Sequence, residues 1–133
     1  MNRSLLLTAS LLGALSVVLG AFAAHSLKEI FPPESLAIFE TGVRYQFYHV
    51  FAIFLAAILG GQLRESRLFL RAGYCFIAGI ILFSGSLYAL ATLKANGMAG
   101  LGAIGILTPL GGLSFIAGWI LICAGVYRDK KNL

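Results

Sequence analysis

Charge is what this chain lacks most. Only 11% of its 133 residues are Asp, Glu, Lys or Arg, against about 25% in a soluble globular domain. Hydrophobic residues make up 59%, and the mean hydropathy is +0.92. So few charges cannot cover a water-facing surface, which excludes a soluble globular class. Carboxylates are scarcer still: five in all, with none inside the long apolar runs. Proton- and cation-coupled carriers generally need an intramembrane carboxylate, so that class loses its support. Cysteine is limited to Cys75 and Cys123, which share no CxxC-type spacing. Metal and redox-motif readings fall with it, leaving inert, buried thiols as the expectation. Nor does the sequence offer a nucleophile, base and orienter as a set, since Ser84 and Ser86 have no evident base. No catalytic residue is assigned, and the protein is expected not to be an enzyme.

What is present is four apolar runs, in a length that suits one domain. A bilayer core needs about 20 helical residues. The runs reach from about Leu5 to Ala24, Tyr45 to Leu63, Ala72 to Leu93 and Pro109 to Tyr127. An all-α, integral membrane four-helix bundle follows, with residues 1–133 as a single four-span domain. The first run resembles a secretory signal, with Arg3 ahead of it and Ala21-Phe22-Ala23 near its end. Its apolar stretch exceeds the usual 7–15 residues, so a retained helix is expected.

The net charge of +5 lies beside the apolar runs and not in a stripe with interleaved aromatics, so nucleic acid is not a partner. Seven basic residues fall on one side: Arg3, Arg64, Arg67, Arg71, Arg128, Lys130 and Lys131. Three fall on the other: Lys28, Arg44 and Lys94. The positive-inside rule places both termini and the 64–71 loop in the cytoplasm.

Turn chemistry sharpens the boundaries. "FPPES" (31–35) predicts a helix start near residue 34, with proline in the opening position and Glu34 favoured by the helix dipole. Gly42 is a candidate bend. "LTPLGG" reads as Thr108 at the N-cap and Pro109 at the first position of helix four. The preceding "GMAGLGAIGIL" (97–107) has two readings: an embedded loop, or an early part of helix four kinked at Pro109.

Lipid supplies no hydrophobic drive between helices, so close packing rests on small residues at regular spacing. Ala9/Gly13 and Ser16/Gly20/Ala24 mark helix one, and Ala52/Ala56/Gly60 mark helix two. Helix three has Cys75/Gly79 and Gly85/Ala89; helix four has Ser114/Gly118, with Gly111, Gly118 and Gly125 seven apart. The expected partners are the lipid bilayer and either a larger membrane-protein complex or further copies of the chain. Ser84, Ser86 and Tyr88 bring hydroxyls into span three, for packing bonds or for a pocket.

Polar groups concentrate in "ETGVRYQFYHV" (40–50). Glu40, Arg44 and Tyr48 share one helical face, which suits an interfacial anchor and a Glu–Arg pair. Gln46 lies between them. Tyr45 and His49 project onto the small-residue stripe and so toward the bundle, where an ionisable group tends to mark function. His25 closes the end of span one and could lie at a similar depth. Zinc between the histidines and Glu40 lacks ligand spacing, and haem ligation needs deeper positions; no metal or cofactor is expected.

Four stretches together carry a family resemblance: "GAFAAHSL" (20–27), "ETGVRYQFYH" (40–49), "LFSGSLYAL" (82–90) and "TPLGGLSFIAGW" (108–119). Over essentially the whole chain, in order, the sequence resembles the small bacterial inner-membrane family typified by YgdD and YwdK, which has no known function. That family is also similar to a small eukaryotic transmembrane group. Its members more often read "GAFGAH" where this chain has Ala23. The resemblance implies four spans in the bacterial inner membrane and no catalytic residues to carry over. It adds that His25, Arg44–His49, Ser84/Gly85/Ser86 and Thr108, Pro109, Gly111 and Gly112 coincide with recurring motifs. The functional expectation is an accessory or scaffold component. The alternative is a binder or carrier of a small hydrophobic or amphipathic molecule or lipid at the His25/His49 side, in a pocket with Tyr45 and the span-three hydroxyls.

Overall fold

A computed structural model describes residues 2–100 and 102–130. Among the described residues, four helices are long and apolar enough to cross a membrane. Helix α1 covers Arg3–Ile30, helix α2 Pro33–Gln62 and helix α3 Ser66–Ala95; helix α4 covers Gly102–Lys130. Lys131, counted above among the basic flanks, lies outside the described residues.

Local chemistry sets most of the ends. The Asn2 side chain accepts from the Leu5 N–H at 3.0 Å and so caps α1. Pro33 opens α2 with Glu34 in its first turn, as the FPPES stretch predicts. At the far end of α3 the N–H groups of Gly97 and Met98 bond back to the carbonyls of Lys94 and Leu93. This Schellman closure requires a left-handed residue, and Gly97 supplies it at φ +75°. Lys94 Nζ donates to Glu34 Oε1 at 2.5 Å, tying the start of α2 to the end of α3.

The helices pack in chain order: α1 on α2, α2 on α3, and α3 on α4. Helices α2 and α3 are therefore central, with 44% and 39% of their apolar windows buried. The flanks α1 and α4 bury 17% and 22%. Their outer faces carry Leu7, Leu11, Val17 and Val18 on α1, and Ile106, Leu113, Ile116 and Ile120 on α4. Apolar surface turned to lipid costs nothing in hydration, so these faces need no protein cover. Asn2, Leu5, Gly60, Ser66 and Arg67 share one cleft, and the Arg64 N–H donates to Asp129 Oδ1 at 3.0 Å. The described beginning and end of the chain thus lie at the same end of the bundle as the α2–α3 turn, called the terminal end below. The other is the distal end.

The α3–α4 interface is a zipper of phenylalanine against glycine. Phe69, Phe76 and Phe83 stand seven apart on α3. They meet Gly125, Gly118 and Gly111, seven apart on the antiparallel α4. Phe115 of α4 returns the contact onto Gly79 of α3. Glycine lets the helices approach closely, so the Phe69 and Phe76 rings lie against Gly125 and Gly118 and gain dispersion contacts there, while Gly111 meets the backbone and Cβ of Phe83. A Cβ at Gly118 would sit 2.5 Å from Phe76 Cε1, and one at Gly125 2.7 Å from Phe69 Cζ. On the other flank, Leu5 of α1 occupies the space over Gly73 of α3.

Several expectations are corrected here. Helix four does not start at Pro109: the chain is already helical from Gly102, so Thr108 is an interior residue and not an N-cap. Of the two readings of residues 97–107, the helical one holds from Gly102 on. Gly42 is no bend; it lies within unbroken α2 and makes room for the Tyr88 ring, which a Cβ there would approach to 2.7 Å. The irregular segments are instead π-turns at Ala23–Leu27 and Ile80–Ser84. Ala24 is exposed and Ala23 buried. At about 100° per residue, a step of seven from Ser16 returns to within about 20° of its face, whereas a step of eight misses by about 80°. Gly85 and Ala89 form no packing face: nothing lies within 4 Å of a Cβ at Gly85, and Ala89 is exposed. The π-turn just before them rotates the face that follows. Cys123 is exposed on α4 and Cys75 half-buried, so buried thiols do not describe them.

Candidate functional site

The buried face of α2 descends in steps of four and three: Ser35, Phe39, Gly42, Gln46, His49 and Ile53. That spacing keeps one face inward along a helix, and it places three polar side chains, Ser35, Gln46 and His49, in the interior. Gln46, only 2% exposed, joins three helices. Its Nε2 donates to the Leu12 carbonyl of α1 at 3.1 Å, and its Oε1 accepts from the Tyr88 hydroxyl of α3 at 2.9 Å. The Leu12 carbonyl also accepts from the Ser16 hydroxyl at 2.8 Å. The Tyr88 ring continues the contact onto Phe39, with centroids 4.8 Å apart.

His49, three residues further along the same face, is turned to α4. Its Nδ1 lies 2.8 Å from the Tyr45 carbonyl; a carbonyl only accepts, so Nδ1 carries the proton. The imidazole stacks on Phe115 of α4, with centroids 3.5 Å apart and planes 7° apart, and Phe76 and Trp119 stand around it. Tyr45, expected to face inward, is 40% exposed, although its ring packs on Phe83 with centroids 4.6 Å apart. His25 lies on the exposed surface of the α1 π-turn with Ser26, Lys28 and Glu29. The two histidines therefore do not meet. Among the described residues, no three His, Cys, Asp or Glu side chains converge on a point.

Of the span-three hydroxyls, Ser86 and Tyr88 bond between helices, Ser84 Oγ is buried without a hydrogen-bond partner, and they do not line a pocket with His49. Ser86 Oγ donates to the Phe83 carbonyl at 2.9 Å and pairs with the Thr108 hydroxyl of α4 at 2.7 Å. Ser114 of α4 donates to the Cys75 carbonyl of α3 at 2.8 Å. Gly118 takes the Phe76 ring, Gly111 meets the Phe83 backbone, Gly112 lies where a Cβ would stand 3.9 Å from Phe83 Cδ2, and Pro109 is exposed. Ser84 is fully buried within the π-turn, beside Tyr88.

Glu40, Arg44 and Tyr48 do share the exposed face assigned to them. The expected Glu40–Arg44 ion pair is not formed; among the described residues the ion pair is Lys94–Glu34. Instead the three side chains border a groove of about 590 Å³ between α1 and α2, with Ser16, Gly20, Ala23, Val43 and Phe47 also lining it.

Sequence reasoning grouped Gln46 with its polar neighbours without separating it from them. The signal was available in the four-and-three spacing from Phe39 through Gly42. The groove left no such signal, because it depends on how α1 seats against α2.

The family described as "Protein of unknown function (DUF423)" matches residues 19–112. The UPF0382 membrane protein YwdK of Bacillus subtilis (strain 168) is 40% identical over 114 residues, covering 86% of this chain and 88% of its own. A UPF0382 membrane protein of Haemophilus influenzae is 37% identical over 131 residues, 98% of this chain and 99% of its own. The UPF0382 inner membrane protein YgdD of Escherichia coli (strain K12) is also 37% identical over 131 residues, 98% and 95% of the two chains. No solved structure matches. Four apolar spans joined by a polar interior, matched over nearly their whole length by these relatives, make this chain a member of the UPF0382 family of membrane proteins, whose function is unknown.

Proposed function

We propose that the protein is a non-catalytic accessory component of the bacterial inner membrane, with both termini and the α2–α3 turn on the cytoplasmic side. One observation carries the reading: apart from Ser84, whose buried hydroxyl has no hydrogen-bond partner, the named polar groups between the helices are used in holding the bundle together. Gln46, Tyr88, Ser86, Thr108, Ser114 and His49 each bond to a neighbouring helix or to their own backbone. Such bonds position helices and leave little to act on a substrate. The surfaces open to other molecules are then the lipid-facing sides of α1 and α4, the outer groove and the two ends. An inner-membrane location is supported by the name of the Escherichia coli relative. The orientation is supported by the basic residues Arg3, Arg64, Arg67, Arg71 and Arg128 at the terminal end.

An accessory component acts through a larger membrane protein or through further copies of itself. Purification in a mild detergent, followed by mass spectrometry of intact complexes, is expected to recover a partner chain or an oligomer in fixed proportion. A strictly monomeric species, obtained both by this route and after crosslinking in native membranes, would overturn the reading.

A further inference from the structure

The α1–α2 groove holds chemistry that the interior does not use. Because α1 and α2 run antiparallel, its lining is ordered by depth. Ala23 and Glu40 stand at the distal mouth, Gly20, Val43 and Arg44 come next, and Ser16, Phe47 and Tyr48 lie deepest. The deep floor is mostly apolar: Val17 and Phe47 line it, the Ser16 hydroxyl is bound to the Leu12 carbonyl, and Tyr48 adds a ring with a terminal hydroxyl. The mouth and the level below it carry one acid and one base, Glu40 and Arg44, a helical turn apart and both exposed. Among the described residues neither takes part in an ion pair. A positive and a negative group left unmatched beside an apolar slot is a dipolar rim over a hydrophobic floor.

We propose that this groove binds a zwitterionic phospholipid whose headgroup carries a phosphate and a primary ammonium. The phosphate lies on Arg44, whose planar guanidinium donates two parallel N–H bonds to such oxygens. The ammonium, joined to the phosphate through a short hydrocarbon link, donates to the Glu40 carboxylate. One acyl chain runs along the groove past Gly20 and Val43 toward Phe47. Charge complementarity selects among headgroups. A purely anionic lipid satisfies Arg44 but is repelled by Glu40. A quaternary ammonium keeps the charge but has no N–H to donate. The inference is independent of the accessory role, because a bound lipid needs no protein partner.

The test uses the full chain in detergent, exchanged against dioleoyl phosphatidylethanolamine, phosphatidylcholine or phosphatidylglycerol, with bound lipid counted by mass spectrometry of the intact protein. The wild type is expected to retain phosphatidylethanolamine about tenfold better than phosphatidylglycerol, the scale of one charge-assisted hydrogen bond. Phosphatidylcholine should fall between them. Glu40→Gln removes that preference while anionic lipid is still held, and Arg44→Gln lowers retention of all three. Both positions are exposed, and melting in the same detergent checks that the variants fold. Equal retention of the three lipids by the wild type overturns the proposal. So does an unchanged preference in Glu40→Gln, or a groove occupied by a second copy in a lipid-free dimer.

Discussion

At Gln46 the amide uses both of its ends, accepting from Tyr88 on α3 and donating to the Leu12 carbonyl of α1. Replacement by leucine keeps the volume but strands the Tyr88 hydroxyl in an apolar interior. The Leu12 carbonyl is not stranded, because Ser16 still donates to it. Gln46→Leu is therefore expected to destabilise by about 1–2 kcal/mol, the cost of one unsatisfied buried group. Tyr88→Phe should cost a similar amount by leaving Gln46 Oε1 without its donor. The double variant is expected to recover part of the loss, with a coupling of about 0.6–1.7 kcal/mol, the range of interhelical hydrogen bonds in membranes. Unfolding titrations of the four proteins in mixed micelles measure this; strictly additive losses would mean the bond does not tie the helices.

Between whole helices, the zipper of α3 and α4 invites a sharper contrast. Gly118→Ala forces a methyl group against the buried Phe76 ring, which also packs against His49 and Trp119. Overpacking of this kind costs about 1–3 kcal/mol. Gly85→Ala meets open space and adds a better helix former, worth up to about 1 kcal/mol in the other direction. The two glycines stand in helices of the same interface and look alike in sequence, so a shared response to alanine in a micelle unfolding titration would refute the assigned register. The seven-residue spacing of Gly111, Gly118 and Gly125 was legible without a structure, and so was that of Phe69, Phe76 and Phe83. Their pairing was not, since each spacing marks a face without saying what covers it.

Across the whole molecule, the terminal end gathers the chain's described ends, the 63–65 turn and five arginines, while the distal end closes with the Lys94–Glu34 pair and the Gly97 turn. That pair is exposed and worth at most about 1 kcal/mol, so it holds a turn in place without stabilising the bundle. Orientation gives the prediction at this scale. A reporter fused after Leu133 should be active only in its cytoplasmic form, and one inserted at Asn96 only in its exported form. The reverse pattern would overturn the positive-inside assignment.

Membrane class, four spans, the helix start at Pro33 and the turn at Asn96–Gly97 follow from the sequence alone, because hydropathy, proline and glycine act within a few residues of where they stand. Which side of each helix faces protein was decided by tertiary contact. In water, an apolar stripe points to the core; in lipid, both sides of a span are apolar, so hydropathy cannot separate inward from outward. That is why Tyr45 sits half outside while Gln46 beside it is buried, and why Thr108 serves Ser86 and caps nothing. The two π-turns add to this, since a single wide turn changes the direction of every side chain after it, and the contacts of the neighbouring helix determine which direction is kept.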